Sequence, residues 1–343
     1  MAGYSGIVES GTGKRNPFYM DMTVWEWFGR RSFRHPDYRG LVAGGRTTTL
    51  ILPARNVAAT IGPILDSVAG LRARTGLPGQ VVVVDADSPD GTADIARAHG
   101  AEVYSENELL PEYGPAQGKG DAMWRGLSVA RGDIVMFADT DTADFGEHFV
   151  YGTLGPLLAD PGIRFCKAAY RRPYAAGEKS VVDGGGRVTE LMAKPLLNRF
   201  YPELAGFVQP LAGEFAAHRE LLANLPFLTG YGVEIGLLVD VLAAVGLAAM
   251  AQVDLGVRQN RHQPLRELAK MSSVVLRAMS LRVPALEREP PTPGLWGLRQ
   301  PEIYLHAVAT EDGLRLDEHL TDVLERPALA RVSSGDLIPD LLW

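Results

Sequence analysis

Cysteine is almost absent from this 343-residue chain: Cys166 stands alone, which excludes an intrachain disulfide framework. It lies among Ile163, Phe165, Ala168 and Ala169, the setting of a buried structural thiol. No apolar run approaches the ~20 residues that a helix needs to cross a bilayer, so no membrane partner is expected. The first residues, with Glu9, Lys14 and Arg15 among small side chains, lack the apolar core of a signal peptide, and a soluble cytoplasmic protein is expected. A basic stripe is missing too. The formal net charge is -7 with Lys and Arg scattered, which argues against a nucleic-acid partner. Two phosphate-binding fingerprints also fail. Gly11-Thr12-Gly13-Lys14 is followed by Arg15 instead of a hydroxyl, and no buried strand precedes it. No G-x-G-x-x-G turn follows the first apolar strand, so a dinucleotide-binding Rossmann domain is not supported.

What is present is a core-forming chain with 46% hydrophobic residues, long enough for one large domain or one with an appendage. After a Gly-rich start, Thr23 and Glu26 form a capping-box pattern ahead of Trp25, Trp27 and Phe28, which predicts a short aromatic helix. Apolar strands are expected at 48–52 (stopped by Pro53), 80–84, 101–104 and 134–138, with helices at 61–71, 92–99 and 121–130 between them. That alternation predicts a doubly wound α/β sheet. The second half reads as strands at 163–170 and 247–253, helices at 218–224 and 233–245, and a helix opened by Gly184-Gly185-Gly186 that runs to Asn198. Helices are expected again at 265–281 and 315–325 across a Pro-rich divide.

Polar residues gather where the strands end: Arg55-Asn56, the turn from Asp85 to Asp90, and Asp139-Thr140-Asp141. Open α/β sheets bind ligands at that edge. Residues i and i+2 of an extended chain point the same way, so Asp139 and Asp141 can converge on one point past the strand. Two hard oxygens there suit a divalent cation that leaves positions open for substrate phosphates; alone, such a pair also fits a solvated turn. Lys119 between Gly118 and Gly120, at a helix start, offers a point charge to an anion, or a solvated loop lysine. Arg187 after the glycine turn, with Thr189, can hold a phosphate or carboxylate bidentately, or be a solvated arginine. The loop Arg258 to His262 adds imidazole and amide groups that suit a metal.

The segments Leu52-Pro53-Ala54-Arg55-Asn56, Pro111 to Gly120 (PEYGPAQGKG), Asp139-Thr140-Asp141, Gly186 to Leu191 (GRVTEL), Gln209 to Glu214 (QPLAGE) and Gly230 to Gly236 (GYGVEIG) together resemble a family. It is that of the GT-A type, nucleotide-sugar-dependent glycosyltransferases, specifically the glucosyl- and mannosyl-3-phosphoglycerate synthases of actinobacterial type. The D-x-D is shared by many glycosyltransferases, whereas the PEYGPAQGKG and GYGVEIG runs are far more specific. The resemblance covers about residues 48 to 280. It implies a Rossmann-like, doubly wound mixed sheet in which 46–142 bind the nucleotide sugar and 143–282 the acceptor. Residues 1–45 would be an N-terminal extension and 283–343 a C-terminal helical tail. The implied reaction moves glucose or mannose, with retention, from UDP-glucose, GDP-mannose or GDP-glucose to the 2-hydroxyl of 3-phosphoglycerate, with Mg²⁺ or Mn²⁺.

The implied donor site comprises Pro53, Ala54, Arg55, Asn56, Asp85, Ala86, Lys119, Asp139, Thr140, Tyr231, Gly232, Glu234 and Arg258. The implied acceptor site comprises Gly186, Arg187, Val188, Thr189, Asn260 and His262. Asp139, Asp141 and Leu211 hold the implied catalytic positions, with front-face attack and no covalent nucleophile. Asp141 binds the metal with Asn260 or His262. In the family a histidine ligand matches Asn260 and an asparagine near the acceptor matches His262, so the pair is exchanged here. Asp85-Ala86-Asp87-Ser88 also departs from the family's D-S-G-S, which leaves the choice of base open. Two other readings stay open: a sugar-1-phosphate nucleotidyltransferase and a non-catalytic nucleotide-sugar-binding protein. A homodimer through the helices after 264 and the segment near Trp25 is expected.

Overall fold

Val24–Arg31 forms the first helix, α1, because Thr23 caps it: the Glu26 N–H donates to Thr23 Oγ1 at 3.2 Å while the Thr23 N–H donates to the Glu26 carboxylate at 3.0 Å. The computed structural model describes residues 22–176, 179–181, 185–258, 263–283, 303–310, 313–320 and 323–333. In chain order the strands and longer helices are β1 (Ser32–Arg34), β2 (Thr48–Ala54), α2 (Ala58–Thr75), β3 (Gln80–Asp85), α3 (Thr92–Ala98), β4 (Glu102–Ser105), α4 (Gly118–Ser128), β5 (Ile134–Phe137), α5 (Glu147–Ala159) and β6 (Phe165–Arg171). There follow β7 (Tyr174–Ala176), β8 (Lys179–Val181), α6 (Lys194–Phe200), β9 (Phe215–His218), α7 (Arg219–Ala223), β10 (Phe227–Leu228), α8 (Val233–Val245), β11 (Met250–Val257), α9 (Leu265–Ser280), β12 (Ile303–Thr310), β13 (Gly313–Leu320), β14 (Glu325–Arg326) and α10 (Leu329–Ser333).

Eight strands make one sheet in the order β1-β11-β6-β9-β5-β2-β3-β4. Every neighbouring pair is parallel except the two made by β9, which runs antiparallel between β5 and β6. Strands β2, β3 and β5 are buried on both faces, as parallel strands with helices on each side must be. Two cores result. One gathers Trp124, Phe137, Phe215 and Phe227 beneath α4 and α8, and the other gathers Leu50, Ile64, Phe149 and Leu154 beneath α2 and α5. Cys166 is buried in the second.

Three expectations need correction. The stretch 24–45 is no appended extension: β1 is an edge strand of the main sheet, and the buried Trp27 donates from Nε1 to the Met250 carbonyl at 2.8 Å. The first strand does not stop at Pro53 but runs to Ala54, because its next pairing, Pro53 opposite Val84, survives in register. The expected helix at 315–325, and with it a helical tail, is overturned. Ile303–Thr310 and Gly313–Leu320 pair as the antiparallel strands β12 and β13, and among the described residues beyond 283 only the five of α10 are helical. The reason was present in the chain: Leu314, Leu316 and the flanking polar residues alternate with period two after Asp312-Gly313, a hairpin signal.

Candidate active site

The carboxyl ends of β2, β3 and β5 lie side by side, and their turns are tied together. Asn56 and Asp87 both take positive φ (54° and 52°), which short polar side chains tolerate. The Asn56 N–H donates to Ser88 Oγ at 2.9 Å, and the Val57 and Ala58 N–H groups opening α2 donate to Thr92 Oγ1 and Asp90 Oδ2, each at 3.0 Å. Thr140 Oγ1 donates to the Pro53 carbonyl at 2.7 Å, locking the D-x-D turn to the end of β2. Ala86 sits in register through its N–H to the Ala54 carbonyl at 2.9 Å. Asp85 is buried, and its Oδ2 accepts the Ser88 N–H at 2.9 Å. Its Oδ1 is buried with no hydrogen-bond partner among the described residues. An unsatisfied buried acceptor is costly, so this oxygen is a ready partner for a donor on a bound molecule. Arg55 reaches Glu106 at 3.3 Å; burial raises the Glu106 carboxyl above its ordinary range, opposed by Arg55.

Asp139 and Asp141 do converge, but on a guanidinium. Arg258, at the end of β11 and almost wholly buried, donates from Nη2 to Asp139 Oδ2 at 2.9 Å and stands 3.5 Å from Asp141 Oδ1. Its Nη1 bonds Glu214 at 2.7–2.8 Å and Tyr170 Oη at 2.8 Å, and Nε bonds Thr142 Oγ1 at 3.1 Å. Asp139 is also paired with Lys119. Burial would raise the Asp139 carboxyl, but Lys119 and Arg258 hold it well below the usual carboxylate range. Glu214 differs: burial pushes its carboxyl up, and Arg258 opposes that only in part. Asp141 is the open member of the pair, with its side chain 68% exposed. The reading of both carboxylates as facing one cation is therefore corrected, since Asp139 already serves two cationic side chains.

Lys119 is likewise not a free charge. Its Nζ bonds Glu234 Oε1 at 2.6 Å besides Asp139, and although burial disfavours its charge, those two carboxylates hold it protonated far above the ordinary lysine range. It bridges the start of α4 to the start of α8. The backbone of Gly213 presses on this ion pair: a Cβ there would fall 2.2 Å from Asp139 Oδ1, so only glycine fits. Beside it, the buried Lys167 donates from Nζ to the Ala212 carbonyl at 2.8 Å, and burial brings its amine down to about 8. Tyr231 is half exposed, while Gly232 is buried against Ala278, which gives it a packing role.

Next to this network is a cavity of about 130 Å³ lined by Arg172, Gly186, Arg187, Val188, Thr189, Leu211 and Arg258, among others. Gly186 takes φ 67°, a conformation glycine adopts freely, and the chain then enters a π-helical turn, Thr189–Ala193, that leads into α6. Arg187 Nη2 donates to the Gln263 carbonyl at 2.8 Å, placing its guanidinium at the cavity wall. Among the described residues three guanidiniums and no carboxylate side chain line this space, in a chain of net charge -7. The structure thus brings Asp139, Asp141, Arg258, Leu211 and the Gly186–Thr189 turn together. Asn260, His262 and Gly184 lie outside the described residues. Glu214 appeared in the sequence only as part of a motif, and Lys167, Tyr170 and Arg172 were missed. A lysine inside an otherwise apolar strand, and an arginine one residue past a strand end, were the signals for two of them.

The sequence profile of glycosyl transferase family 2 matches residues 49–183. With the doubly wound mixed sheet and its acidic strand end beside a cationic cavity, this defines a glycosyltransferase of the GT-A fold. The chain is 45% identical over 263 residues to the glucosyl-3-phosphoglycerate synthase of Mycolicibacterium paratuberculosis, covering 75% of this chain and 79% of that one. It matches the crystal structure of mannosyl-3-phosphoglycerate synthase from Rubrobacter xylanophilus at 55% identity and TM-score 0.82, over 90% of this chain and 99% of that one. It matches glucosyl-3-phosphoglycerate synthase from Mycobacterium tuberculosis, crystallised with Mn²⁺, UDP and phosphoglyceric acid, at 36% identity and TM-score 0.71, over 93% and 97%. The chain belongs to the glucosyl- and mannosyl-3-phosphoglycerate synthase family and is a hexosyltransferase.

Proposed function

We propose that this chain moves glucose or mannose from a nucleoside-diphosphate sugar to the 2-hydroxyl of 3-phosphoglycerate, with retention at the anomeric carbon. The observation that carries this reading is the contact between the D-x-D turn and the arginine-lined cavity through one shared residue, Arg258. Donor and acceptor chemistry meet there. Buried Asp85 Oδ1 accepts an N–H of the base, and Arg55 and Asn56 flank the nucleoside. Arg187 and Arg172, with Thr189, hold the phosphate and carboxylate of the acceptor, since paired guanidiniums recognise such groups by charge and by shape.

The donor set fits a hard divalent cation: Asp141 offers an exposed carboxylate, and residues 259–262, with Asn260 and His262, follow directly on Arg258. Mg²⁺ or Mn²⁺ held by Asp141 with Asn260 or His262 supplies Lewis-acid neutralisation of the diphosphate. Glu214 is fully buried and Asp139 is engaged by Lys119 and Arg258, and we assign neither as a covalent nucleophile. That supports front-face transfer, with the backbone from Leu211 to Gly213 fixed against the reacting atoms by Lys167 and Asp139. No helix among the described residues is long and apolar enough to cross a membrane; we place the chain in the cytoplasm, as a homodimer whose interface draws on the exposed Trp25 and Leu265.

The test is a panel of UDP-glucose, GDP-glucose and GDP-mannose with 3-phosphoglycerate, with and without Mg²⁺ or Mn²⁺. Metal-dependent release of nucleoside diphosphate and an axial anomeric product by NMR are expected. Pyrophosphate release from a sugar phosphate and a nucleoside triphosphate would select the nucleotidyltransferase instead. Donor binding without turnover would select a binding protein. Solution mass tests the dimer, which a monomeric mass would refute.

A further inference from the structure

The stretch 323–333 returns to the catalytic half after the β12–β13 hairpin, and its Arg326 is buried against α4. Arg326 Nη2 and Nε donate to the two oxygens of Asp121 at 2.6 and 3.1 Å, and Nη1 donates to the Tyr113 carbonyl at 2.8 Å. Asp121 is fully buried. Its Oδ2 also accepts the Gln117 N–H at 2.9 Å, and its Oδ1 takes Arg125 Nε at 3.1 Å. Arg125 in turn donates to the carbonyls of Leu109 and Gly114, each at 2.5 Å. The loop ahead of Lys119 therefore hangs from one carboxylate and two guanidiniums, and one of those arrives from the end of the chain.

The backbone of the same stretch grips the other segment of the implied donor site, residues 227–234. β14 pairs with β10, Arg326 opposite Phe227, and the Thr229 N–H donates to the Leu324 carbonyl at 2.9 Å. Thr229 opens the turn that carries Tyr231 and leads to Glu234. The two segments touch directly: the Gly230 N–H donates to the Gln117 carbonyl at 3.1 Å, and a Cβ on Gly118 would lie 3.3 Å from Gly230 Cα. Trp124 Nε1 donates to the Pro327 carbonyl at 2.8 Å. None of these groups lines the arginine-walled cavity. They fix the distance between Lys119 and Glu234.

We propose that residues 323–333 are a positioning element of the donor site and that Arg326 is its positioning residue. It sets the register of the 109–118 loop against the 229–234 turn and so places Lys119, Tyr231 and Glu234. The inference rests on the reading of Lys119, Tyr231 and Glu234 as part of the nucleotide-sugar site. Asp121 keeps Arg125 when Arg326 is removed, so the role assigned to Arg326 is geometric: without it the Tyr113 carbonyl and the Gln117 turn lose their tie to residues 323–333. A misplacement of about 1 Å can cost on the order of a hundredfold in rate.

The experiment compares wild type, Arg326→Met, which keeps the apolar stem, and Arg326→Lys, which keeps the charge without the fork. Steady-state constants for UDP-glucose and 3-phosphoglycerate are measured together with hydrogen–deuterium exchange across the chain. Arg326→Met is expected to lower kcat/KM for the donor about a hundredfold while the acceptor KM stays within about twofold. Exchange should quicken at 109–118 and 229–235 and stay unchanged in β2 and β3, with Arg326→Lys intermediate in both readouts. Equal losses for donor and acceptor that track thermal stability, or unchanged exchange at both segments, would overturn the proposal. Should wild type fail with UDP-glucose, GDP-glucose and GDP-mannose alike, the proposed function fails, while the exchange pattern still decides whether Arg326 holds these segments.

Discussion

Replacing Arg258 by Met puts the central electrostatic argument at risk. The substitution keeps an apolar stem but removes bonds to Asp139 at 2.9 Å, Glu214 at 2.7 Å and Tyr170 at 2.8 Å. Asp139 retains Lys119; Glu214, fully buried, retains the Tyr170 hydroxyl and a backbone hydrogen bond but no cation within bonding distance among the described residues. Breaking one side of a buried ion pair costs about 3–5 kcal/mol because the other charge is left behind. The pH dependence follows from the carboxyl left behind. Burial already raises the Glu214 carboxyl in the native chain with Arg258 opposing it, so without the guanidinium it rises further. A raised carboxyl contributes full stability below its unfolded value of about 4.3 and loses it as pH climbs through the folded value. The deficit of Arg258→Met should therefore be largest at pH 8 and smaller at pH 5.5. Adding Glu214→Gln removes the stranded charge and should recover at least half of the deficit at pH 8. Urea unfolding followed by tryptophan fluorescence on the two single variants and the double variant gives the coupling directly. A deficit under about 1 kcal/mol, or one that ignores both pH and Glu214→Gln, would refute the account, since exposed pairs alone are worth that little.

Three further outcomes are expected. Asp141→Asn should leave the unfolding free energy in urea within about 0.5 kcal/mol of wild type, because the side chain is 68% exposed and meets Arg258 only at 3.5 Å; transfer should collapse and the Mn²⁺ titration shift to higher concentration. Arg187→Ala should raise the acceptor KM tenfold to a hundredfold, as loss of about 1.5–3 kcal/mol of charged hydrogen bonding implies, with the donor KM unchanged; an altered donor KM alone would count against the assignment. Burial holds His35, His148 and His218 below the ordinary imidazole range. The unfolded chain therefore binds protons first as pH falls below about 6.5, and stability is full above that value and declines beneath it. Melting at pH 7.5 and 5.5 checks this, and His148→Gln should flatten the slope.

Much of the donor half was legible in the sequence because its signals are local. Short apolar runs marked the parallel strands, and polar clusters at 55–56, 85–90 and 139–141 marked one edge of the sheet, which is where the structure gathers them. What was not legible depends on partners far apart in the chain. Lys119 reads as a free charge until Glu234, 115 residues later, is seen to hold it. Asp121 and Arg125, four residues apart on a helix, look like a solvated pair, yet both are buried and completed by Arg326. Asp139 and Asp141 look equivalent by spacing and differ because a guanidinium and an ammonium reach only one of them closely. The pairing of β12 with β13 was lost because a helix was expected at 315–325, where the alternation after Asp312-Gly313 has a period of two.

The reversed strand β9 has a consequence for how such enzymes diversify. Because β6 and β9 are antiparallel neighbours, everything between Arg172 and Glu214 leaves and re-enters the sheet at a single rim. The stretch is anchored at both ends of its course, by Leu197, Leu204 and Phe207 in the core and by Gly213 against Asp139, so only its turns are free to change length without reordering the other strands. A new recipient molecule would be accommodated by changing those turns while the strand order is inherited unchanged.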